Sequence, residues 1–453
     1  MKRGATKMKN IKFPEGFKLG VATASYQIEG LPLADGAGPS IWHRFSHTPG
    51  TTYNSDTGDI ACDHYHRYKE DVALMKELGV KAYRFSIAWP RVFPYGKGKI
   101  NLKGMDFYDR LVDELMDAGI EPFITLYHWD LPATLQDEGG WLNRDIANWF
   151  ADYADFVFQK LGDRVKHWIT LNEPWVTAFV GHLFGEHAPG MRDIYAAFEV
   201  VHNELRAHSK AVKAFREENL EGEIGITLSN HSQSPASQEE ADITAAQVAH
   251  EYVNYPLFLN PIFKGDYPQH LLSVAKEYMP KAYEQDMDEI KEDIDFVGIN
   301  YYSGNLVKAE PNAPFGIKNV DRGLEKTEMG WEIYPQGLYE ILTGVQKNYA
   351  PMKIFITENG AAFKDVVEDG EVHDDKRIEY LKAHFNQAYK AIQDGVNLKG
   401  YFVWSLMDNF EWAKGYSKRF GIVYVDYETQ ERILKDSAKW YANVIKNNAV
   451  EAE

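Results

Sequence analysis

The chain has 453 residues, and its 67 acidic side chains outnumber the 49 basic ones, giving a formal net charge of −18. Such an excess of negative charge repels polyphosphate and anionic lipids, so we expect neither nucleic acid nor a membrane as a partner. Hydrophobic residues make up 44% and aromatic residues 14% of the sequence. This composition supplies a large core and excludes a chain that is disordered throughout.

The N-terminal segment, the apolar runs and the cysteine content favour a cytoplasmic location. The apolar runs are shorter than the roughly 20 residues that span a bilayer. Residues 1–10 are basic without an apolar stretch behind them, and Cys62 is the single cysteine. We therefore expect a soluble cytoplasmic protein with a flexible segment over residues 1–10. A homo-oligomer is compatible with the sequence.

Eight segments rich in β-branched and aromatic residues recur along the chain, separated by helical segments. In chain order they are residues 17–22, 81–89, 122–129, 165–174, 223–229, 294–302, 352–359 and 400–406. Strands alternating with helices favour right-handed parallel βαβ units. Eight such units predict one α/β domain over residues 1–453, a (β/α)₈ TIM barrel with its active site at the C-terminal ends of the strands.

The intervening helices are predicted from apolar spacing and glycine stops. Three of them cover residues 68–79, 106–119 and 378–395. In the second, Phe107, Leu111, Leu115 and Met116 are expected on one face, and Gly119 ends the helix. Segments 30–62 and 305–331 exceed ordinary loop lengths, so we expect them to shape a pocket.

The ends of the predicted strands carry an unusual set of polar and aromatic residues. These are Gln27, Arg84, Trp89, His128, Trp129, Asn172, Glu173, Asn300, Tyr302, Glu358, Trp404, Glu411 and Trp412. Glycoside cleavage needs two carboxyl groups, one to protonate the leaving oxygen and one to act at the anomeric carbon. Glu173 and Glu358 stand on well-separated strands, and the amides and indoles suit sugar hydroxyls and ring faces. The pattern predicts a carbohydrate-cleaving site.

Several motifs occur in order at these strand ends. They are SYQIEG at 25–30, YRFS at 83–86, HWD at 128–130, TLNEP at 170–174, NYY at 300–302, ITENG at 356–360, WS at 404–405 and EW at 411–412. Over about residues 13–441 the chain resembles the retaining β-glucosidases of glycoside hydrolase family 1. That resemblance implies an exo-acting enzyme that hydrolyses terminal β-D-glucosyl residues of cellobiose-like oligosaccharides and aryl glucosides.

The resemblance also assigns roles at the reacting centre. It makes Glu358 the nucleophile and Glu173 the acid/base, with Asn300 beside them in the catalytic group. Arg84 and Tyr302 are expected to keep Glu358 ionised, while Glu173 has a raised pKa. We expect the two carboxyl groups about 5 Å apart, the separation that retention requires.

Further positions resemble the family's sugar-binding residues. The expected contacts are Gln27, His128, Trp129, Asn172, Trp404, Glu411, Trp412 and Phe420, with Trp331 and Trp175 on the aglycone side. Activity on β-galactosides and β-fucosides and transglycosylation are expected side reactions. The resemblance implies no cofactor and no metal, and His64 and His66 lie two residues apart, a spacing that points them to different faces of a helix.

Two alternatives stay open. In the related 6-phospho-β-glycosidases the loop after the eighth strand binds phosphate; here Glu411 would repel it and Phe420 lacks a phenol, although Lys418 and Arg419 keep that function open. The other alternative is a catalytically silent sugar-binding barrel, which predicts the loss of one carboxylate. Both Glu173 and Glu358 are present.

Overall fold

The computed structural model describes residues 10–452, and eight parallel strands of this part of the chain form a closed barrel. They are β1 (Lys18–Ala22), β2 (Ala82–Ser86), β3 (Glu121–Tyr127), β4 (His167–Asn172), β5 (Glu223–Pro235), β6 (Phe296–Ala309), β7 (Lys353–Asn359) and β8 (Leu398–Trp404). Each strand pairs with the next, and β8 pairs with β1 from Gly400 and Lys18 to Trp404 and Ala22. The predicted (β/α)₈ barrel is confirmed.

Shorter antiparallel strands decorate the barrel. Pairs form between Asn10–Lys12 and Ala449–Glu451, Val367–Glu368 and Glu371–Val372, and Val423–Val425 and Arg432–Leu434, while Ile317–Val320 pairs with the end of β6. Asn10 belongs to the first of these strands, and the flexible segment over residues 1–10 stays a prediction. Residues 1–9 lie outside the described residues.

Helices connect and flank the strands. Their bounds are Ser25–Ile28, Ile41–Ser46, His64–Glu77, Trp89–Val92, Leu102–Ala118, Ala133–Asp137, Ile146–Leu161, Ile194–Glu217, Glu240–Val253, Pro256–Lys264, Gln269–Ala275, Met287–Ile290, Pro335–Tyr349, Asp375–Gln393 and Asp436–Asn447. A π-helical turn covers Val176–Val180, and 3₁₀ turns cover Ala34–Gly36, Tyr53–Ser55, Gly140–Leu142, Lys276–Tyr278, Tyr283–Asp286, Pro314–Gly316 and Trp412–Lys414. Among residues 10–452, the helices lack the combination of length and apolar character that a bilayer crossing requires.

The helix Leu102–Ala118 illustrates how the apolar pattern sets the packing. Phe107, Leu111 and Leu115 are buried, and Gly119 ends the helix with φ of 73°, a left-handed conformation that favours glycine. Met116 is 45% exposed, so its predicted place on the buried face is wrong. The reason is geometric: Met116 follows Leu115 directly, and one residue turns the helix by about 100°.

Aromatic rings fill the lower part of the barrel. The ring of Phe123 lies 4.8 Å from that of Phe402, 5.4 Å from that of Phe355 and 4.1 Å from the imidazole of His167. Most buried apolar side chains of residues 10–452 join these in one continuous core, and the single domain over residues 1–453 stays a prediction. The barrel interior is therefore a packed core, and its chemistry lies at the upper, C-terminal ends of the strands.

Candidate active site

Two glutamates stand at the upper ends of β4 and β7. Glu173 follows Asn172, the last residue of β4, and has φ of 47°, which turns the chain out of the strand. Glu358 is the penultimate residue of β7. Their exposed fractions are 7% and 4%. Both line the same cavity, so the fold brings the two predicted catalytic carboxyl groups together.

Glu358 is held by a cation and a phenol. Arg84 donates from Nη1 to Oε1 of Glu358 at 2.6 Å, and the hydroxyl of Tyr302 donates to Oε2 at 2.7 Å. Burial raises the pKa of Glu358, while the Arg84 charge and both hydrogen bonds oppose that rise. A permanently charged partner favours the carboxylate form of Glu358 over that of any neighbouring acid.

Glu173 has a weaker set of partners. Its Oε1 accepts a hydrogen bond from Nδ2 of Asn300 at 2.8 Å, and Oδ1 of Asn300 accepts one from Thr357 at 2.7 Å. Burial, followed by repulsion from Glu358, raises the pKa of Glu173 to about 8. The raised pKa favours the protonated form of Glu173, the form that the predicted general acid requires.

One cavity of about 380 Å³ collects most of the predicted site residues. Its lining includes His128, Trp129, Glu173, Trp175, Tyr302, Trp331, Glu358, Trp404, Glu411, Trp412 and Phe420. The aromatic rings pack on one another: Trp412 lies 4.6 Å from Trp129, and Trp331 lies 6.1 Å from Phe420. Such a pocket offers apolar faces to a sugar ring beside two carboxyl groups.

The remaining predicted residues lie behind this lining. Arg84 also donates from Nη2 to Oδ1 of Asn172 at 2.6 Å, and Nδ2 of Asn172 donates to Nε2 of His128 at 3.0 Å. Gln27 donates from Nε2 to Asn409 and Phe410. Oε1 of Gln27 is buried and has no hydrogen-bond partner among residues 10–452. The sugar contacts of Gln27 and Asn172 stay predictions.

The sequence from residue 9 to residue 450 matches the model of glycosyl hydrolase family 1. The chain belongs to glycosyl hydrolase family 1. This finding confirms the predicted family and the predicted glycosidase class. The assignment of the cavity described above as the active site, with its carboxyl pair as the reacting centre, stays a prediction.

Relatives of this family 1 hydrolase match it along nearly its whole length. It is 65% identical over 440 residues to a 1,4-beta-D-glucan glucohydrolase of Thermotoga neapolitana, covering 97% of this chain and 99% of that protein. It is also 65% identical over 441 residues to beta-glucosidase A of Thermotoga maritima, with the same coverage. A solved Thermotoga maritima family 1 glycoside hydrolase, complexed with a cyclophellitol analogue transition state mimic, superposes with a TM-score of 0.96 at 65% identity, covering 97% and 99% of the two chains.

The two cations considered for phosphate binding have other partners in this family 1 hydrolase. Lys418 donates from Nζ to the carbonyl oxygen of Glu328 at 2.7 Å, and Arg419 donates to Asp408 at 2.6 Å. Glu411 lines the cavity, and burial, with a smaller contribution from Glu358, raises its pKa to about 8. Among the described residues that line the cavity, the one lysine or arginine is the exposed Lys414.

The two histidines weighed as metal ligands have separate partners. Nδ1 of His64 lies 2.7 Å from Asp71, whose carboxylate also binds Arg432, whereas Nδ1 of His66 lies 2.8 Å from Asp63. His64 is buried and His66 is exposed. The two rings therefore do not converge, as their spacing predicts.

Two histidines of the cavity lining escaped the sequence analysis for different reasons. His231 lines the cavity because β5 continues to Pro235, beyond the predicted end of that strand at residue 229. His187 comes from the loop after the π-helical turn and lies 5.4 Å from Trp129; burial lowers its pKa to about 3, so it is neutral. A longer strand prediction would have found His231, but the sequence offers no comparable signal for His187.

Proposed function

We propose that this family 1 hydrolase is a retaining, exo-acting β-glucosidase that releases terminal non-reducing β-D-glucosyl residues. The observation that carries the proposal is the unequal pairing of the two carboxyl groups. Glu358 accepts hydrogen bonds from Arg84 and Tyr302, whereas Glu173 accepts one from the neutral amide of Asn300 and has a pKa of about 8. One group is set up as a nucleophile and the other as an acid.

In the first step the carboxylate of Glu358 attacks the anomeric carbon. The bond from that carbon to the leaving oxygen breaks as Glu173 gives this oxygen its proton, and a covalent glycosyl-enzyme forms. Arg84 and Tyr302 hold the attacking carboxylate in place. A carboxyl separation of about 5 Å stays a prediction of this mechanism.

In the second step a water molecule releases the sugar. Esterification removes the charge of Glu358, and the repulsion that helps raise the pKa of Glu173 disappears with it. Glu173 then takes a proton from water, the oxygen of water bonds to the anomeric carbon, and the ester bond to Glu358 breaks. A sugar hydroxyl that replaces water at this step gives transglycosylation.

The glucose preference rests on the relatives and on the shape of the cavity. Two relatives at 65% identity carry the names beta-glucosidase A and 1,4-beta-D-glucan glucohydrolase. The rings that fill the barrel beneath the site make a blind pocket, which favours cleavage at a chain end. β-Galactosides and β-fucosides are proposed as secondary substrates, because galactosides differ from glucosides only in the configuration at C4 and fucosides differ there and in lacking the 6-hydroxyl.

Location and partners form a further part of the proposal. Cys62 is buried and has no second cysteine to pair with, which suits a reducing compartment such as the cytoplasm. The partner is a β-glucoside or an oligosaccharide. Homo-oligomerisation stays a prediction that size-exclusion chromatography with light scattering can test.

Matched aryl substrates test the function. Wild type should cleave p-nitrophenyl β-glucoside, Glu358→Ala should lose this activity, and azide should restore it with formation of an α-glucosyl azide. Glu217→Ala, at an exposed helix position, is the control for carboxylate removal. A β-glucosyl azide would contradict the assignment of Glu358.

The 6-phospho-β-glycosidase alternative is favoured by one observation, the presence of Lys414 at the cavity border. The partners of the other two cations argue against it, because Lys418 is bound to the carbonyl oxygen of Glu328 and Arg419 to the carboxylate of Asp408. The same assay with p-nitrophenyl β-glucoside 6-phosphate separates the two functions. Turnover of the phosphorylated substrate alone would establish the alternative, and turnover of neither would favour the silent barrel.

A further inference from the structure

A histidine pair and an aspartate converge outside the cavity, between the barrel's first strand and the helix that begins at His64. His43 lies in the helix Ile41–Ser46, His47 follows it by one turn, and Asp59 approaches from the following loop. Nδ1 or Nε2 of each histidine and one carboxylate oxygen all lie within 4.8 Å of one another. This group forms the cluster His43/His47/Asp59.

The distances within the cluster suit one shared cation. Nδ1 of His43 lies 3.6 Å from Oδ1 of Asp59, and Nε2 of His47 lies 3.0 Å from Oδ2. Ligand bonds of about 2.0–2.1 Å in tetrahedral geometry place ligand atoms about 3.4 Å apart. Small side-chain adjustments therefore bring all three atoms to the spacing that a zinc ion needs.

Two of these atoms lack a hydrogen-bond partner. Nδ1 of His43 and Oδ1 of Asp59 are both buried, and neither makes a hydrogen bond within residues 10–452. Buried polar atoms are normally satisfied, so a pair of them facing each other calls for an explanation. A bound cation would satisfy both atoms at once.

The orientation of His47 is also that of a metal ligand. Its Nδ1 donates a hydrogen bond to the carbonyl oxygen of His43 at 2.7 Å, which leaves Nε2 to face Asp59. Metal-binding histidines commonly donate their second ring nitrogen to a backbone carbonyl in this way, which fixes the ring. The i,i+4 spacing of His43 and His47 places both rings on one side of the chain.

We propose that His43, His47 and Asp59 form a binding site for a divalent transition metal ion of the zinc type, with water completing the coordination. Two imidazoles and one carboxylate suit zinc better than magnesium or calcium, which prefer oxygen ligands. The site is distinct from the carboxyl pair and takes no part in glycoside cleavage.

Binding would cross-link segments that support the glycone pocket. Ser46, beside the cluster, is hydrogen-bonded to Tyr26 at 2.9 Å, and Trp42 in the same helix lies 4.6 Å from Trp412. On the loop side, the carbonyl oxygen of Thr57 accepts a hydrogen bond from Tyr416 at 2.7 Å. The ion therefore joins two segments that both contact the region of Trp412, and it should raise the thermal stability of the enzyme.

Calorimetric titration with zinc chloride tests the site directly. The full chain, without a histidine tag and after dialysis against a chelator, should bind one equivalent of zinc in a non-coordinating buffer. His43→Gln, His47→Gln and Asp59→Asn should each raise Kd at least about tenfold, because each removes a ligand. At the same zinc concentration, the melting temperature of wild type should rise more than that of any of the three variants.

A matched control distinguishes this site from incidental histidine binding. His66→Gln removes an exposed histidine that is paired with Asp63 at 2.8 Å in a similar way but lacks a third ligand, so its zinc affinity should equal that of wild type. Circular dichroism verifies that the variants fold. The proposal would be overturned if wild type bound no stoichiometric zinc. It would also be overturned if His43→Gln and His47→Gln bound zinc with the same affinity as wild type.

Discussion

Arg84 lies 2.6 Å from Glu358, and both side chains are almost completely buried, with exposed fractions of 1% and 5%. The guanidinium also holds Asn172 at 2.6 Å, so one side chain fixes residues at the ends of two strands. We expect this buried charge to favour the ionised form of Glu358 for the proposed reaction and to stabilise the fold as well. This dual role makes Arg84 a sharp test of the site.

Arg84→Met should lower kcat by about 10²- to 10³-fold, because Glu358 loses the cation that favours its nucleophilic form. The uncompensated carboxylate should also lower the free energy of unfolding by about 3–5 kcal/mol. Initial rates and denaturant titration measure the two effects. Arg91→Met breaks another buried pair, with Glu29 at 3.0 Å, and should reduce stability without a comparable loss of kcat. Equal losses of kcat in both variants would contradict the role of Arg84.

The alkaline side of the pH profile should report on Glu173. Since its pKa is raised to about 8 and the protonated form is the acid, kcat/KM should fall as the pH rises through about 8. In Glu173→Ala, assayed with an activated aryl glucoside, this fall should disappear. Glu411 also has a pKa of about 8, so Glu411→Gln is the control and should keep the alkaline limb. If the fall in kcat/KM at high pH disappeared in Glu411→Gln and not in Glu173→Ala, the titrating group would be Glu411.

The buried carboxyl group of Glu204 should lower the free energy of unfolding. It is fully buried in the helix Ile194–Glu217, near Thr177, and neither of its carboxyl oxygens makes a hydrogen bond within residues 10–452. Burial raises its pKa well above the ordinary value, so the folded chain holds this proton while the unfolded chain releases it above about pH 4.3. Folding therefore binds a proton, and stability declines as the pH rises above that value.

Glu204→Leu should raise the free energy of unfolding by about 1–3 kcal/mol at pH 7, because it removes an unsatisfied buried group. The gain should grow as the pH rises through the neutral range. Urea titrations at several pH values measure both trends. Glu217→Leu, at the exposed end of the same helix, should change stability by no more than about 0.5 kcal/mol. A gain independent of pH would mean that packing alone explains the effect.

Trp331 should set the preference for the leaving group. Together with Trp175 and His231 it lines both the carboxylate cavity and a neighbouring cavity of about 560 Å³, whose lining includes Phe184 and Phe315. Trp331→Ala should raise KM for p-nitrophenyl β-glucoside about tenfold, because an aromatic contact worth about 1.5 kcal/mol is lost. Glucose inhibition, measured alongside, should change little. Equal losses for glucose and for the aryl substrate would place Trp331 at the glycone instead.

The sequence predicts the site well wherever the barrel topology fixes position. The upper ends of parallel strands meet around one mouth, so Glu173 after β4 and Glu358 in β7 can be placed together from strand order. Arg84 and Tyr302 follow the same logic, since they also stand on barrel strands. Local pattern and topology agree at these positions.

The sequence does not predict the position of a residue when that position depends on packing between segments far apart in the chain. His187 reaches the cavity through a loop whose path depends on contacts with Trp42 and Trp129. The cluster His43/His47/Asp59 joins a helix to a loop 12 residues away from His47, and spacing along the chain does not specify that approach. The sequence does not indicate that Glu204 is buried without hydrogen-bond partners, because that depends on which residues the fold places around it.

The aromatic packing beneath the site also bears on the order in which substrate enters and products leave. Phe123, Phe355 and Phe402 pack across the barrel below the site, so we expect substrate to enter and the released sugar to leave through the same mouth. In the proposed mechanism, the aglycone is expected nearer this mouth and has to depart before water reaches the glycosyl-enzyme. We therefore expect glucose that stays in the pocket to block the next substrate, so that the released sugar inhibits its own formation.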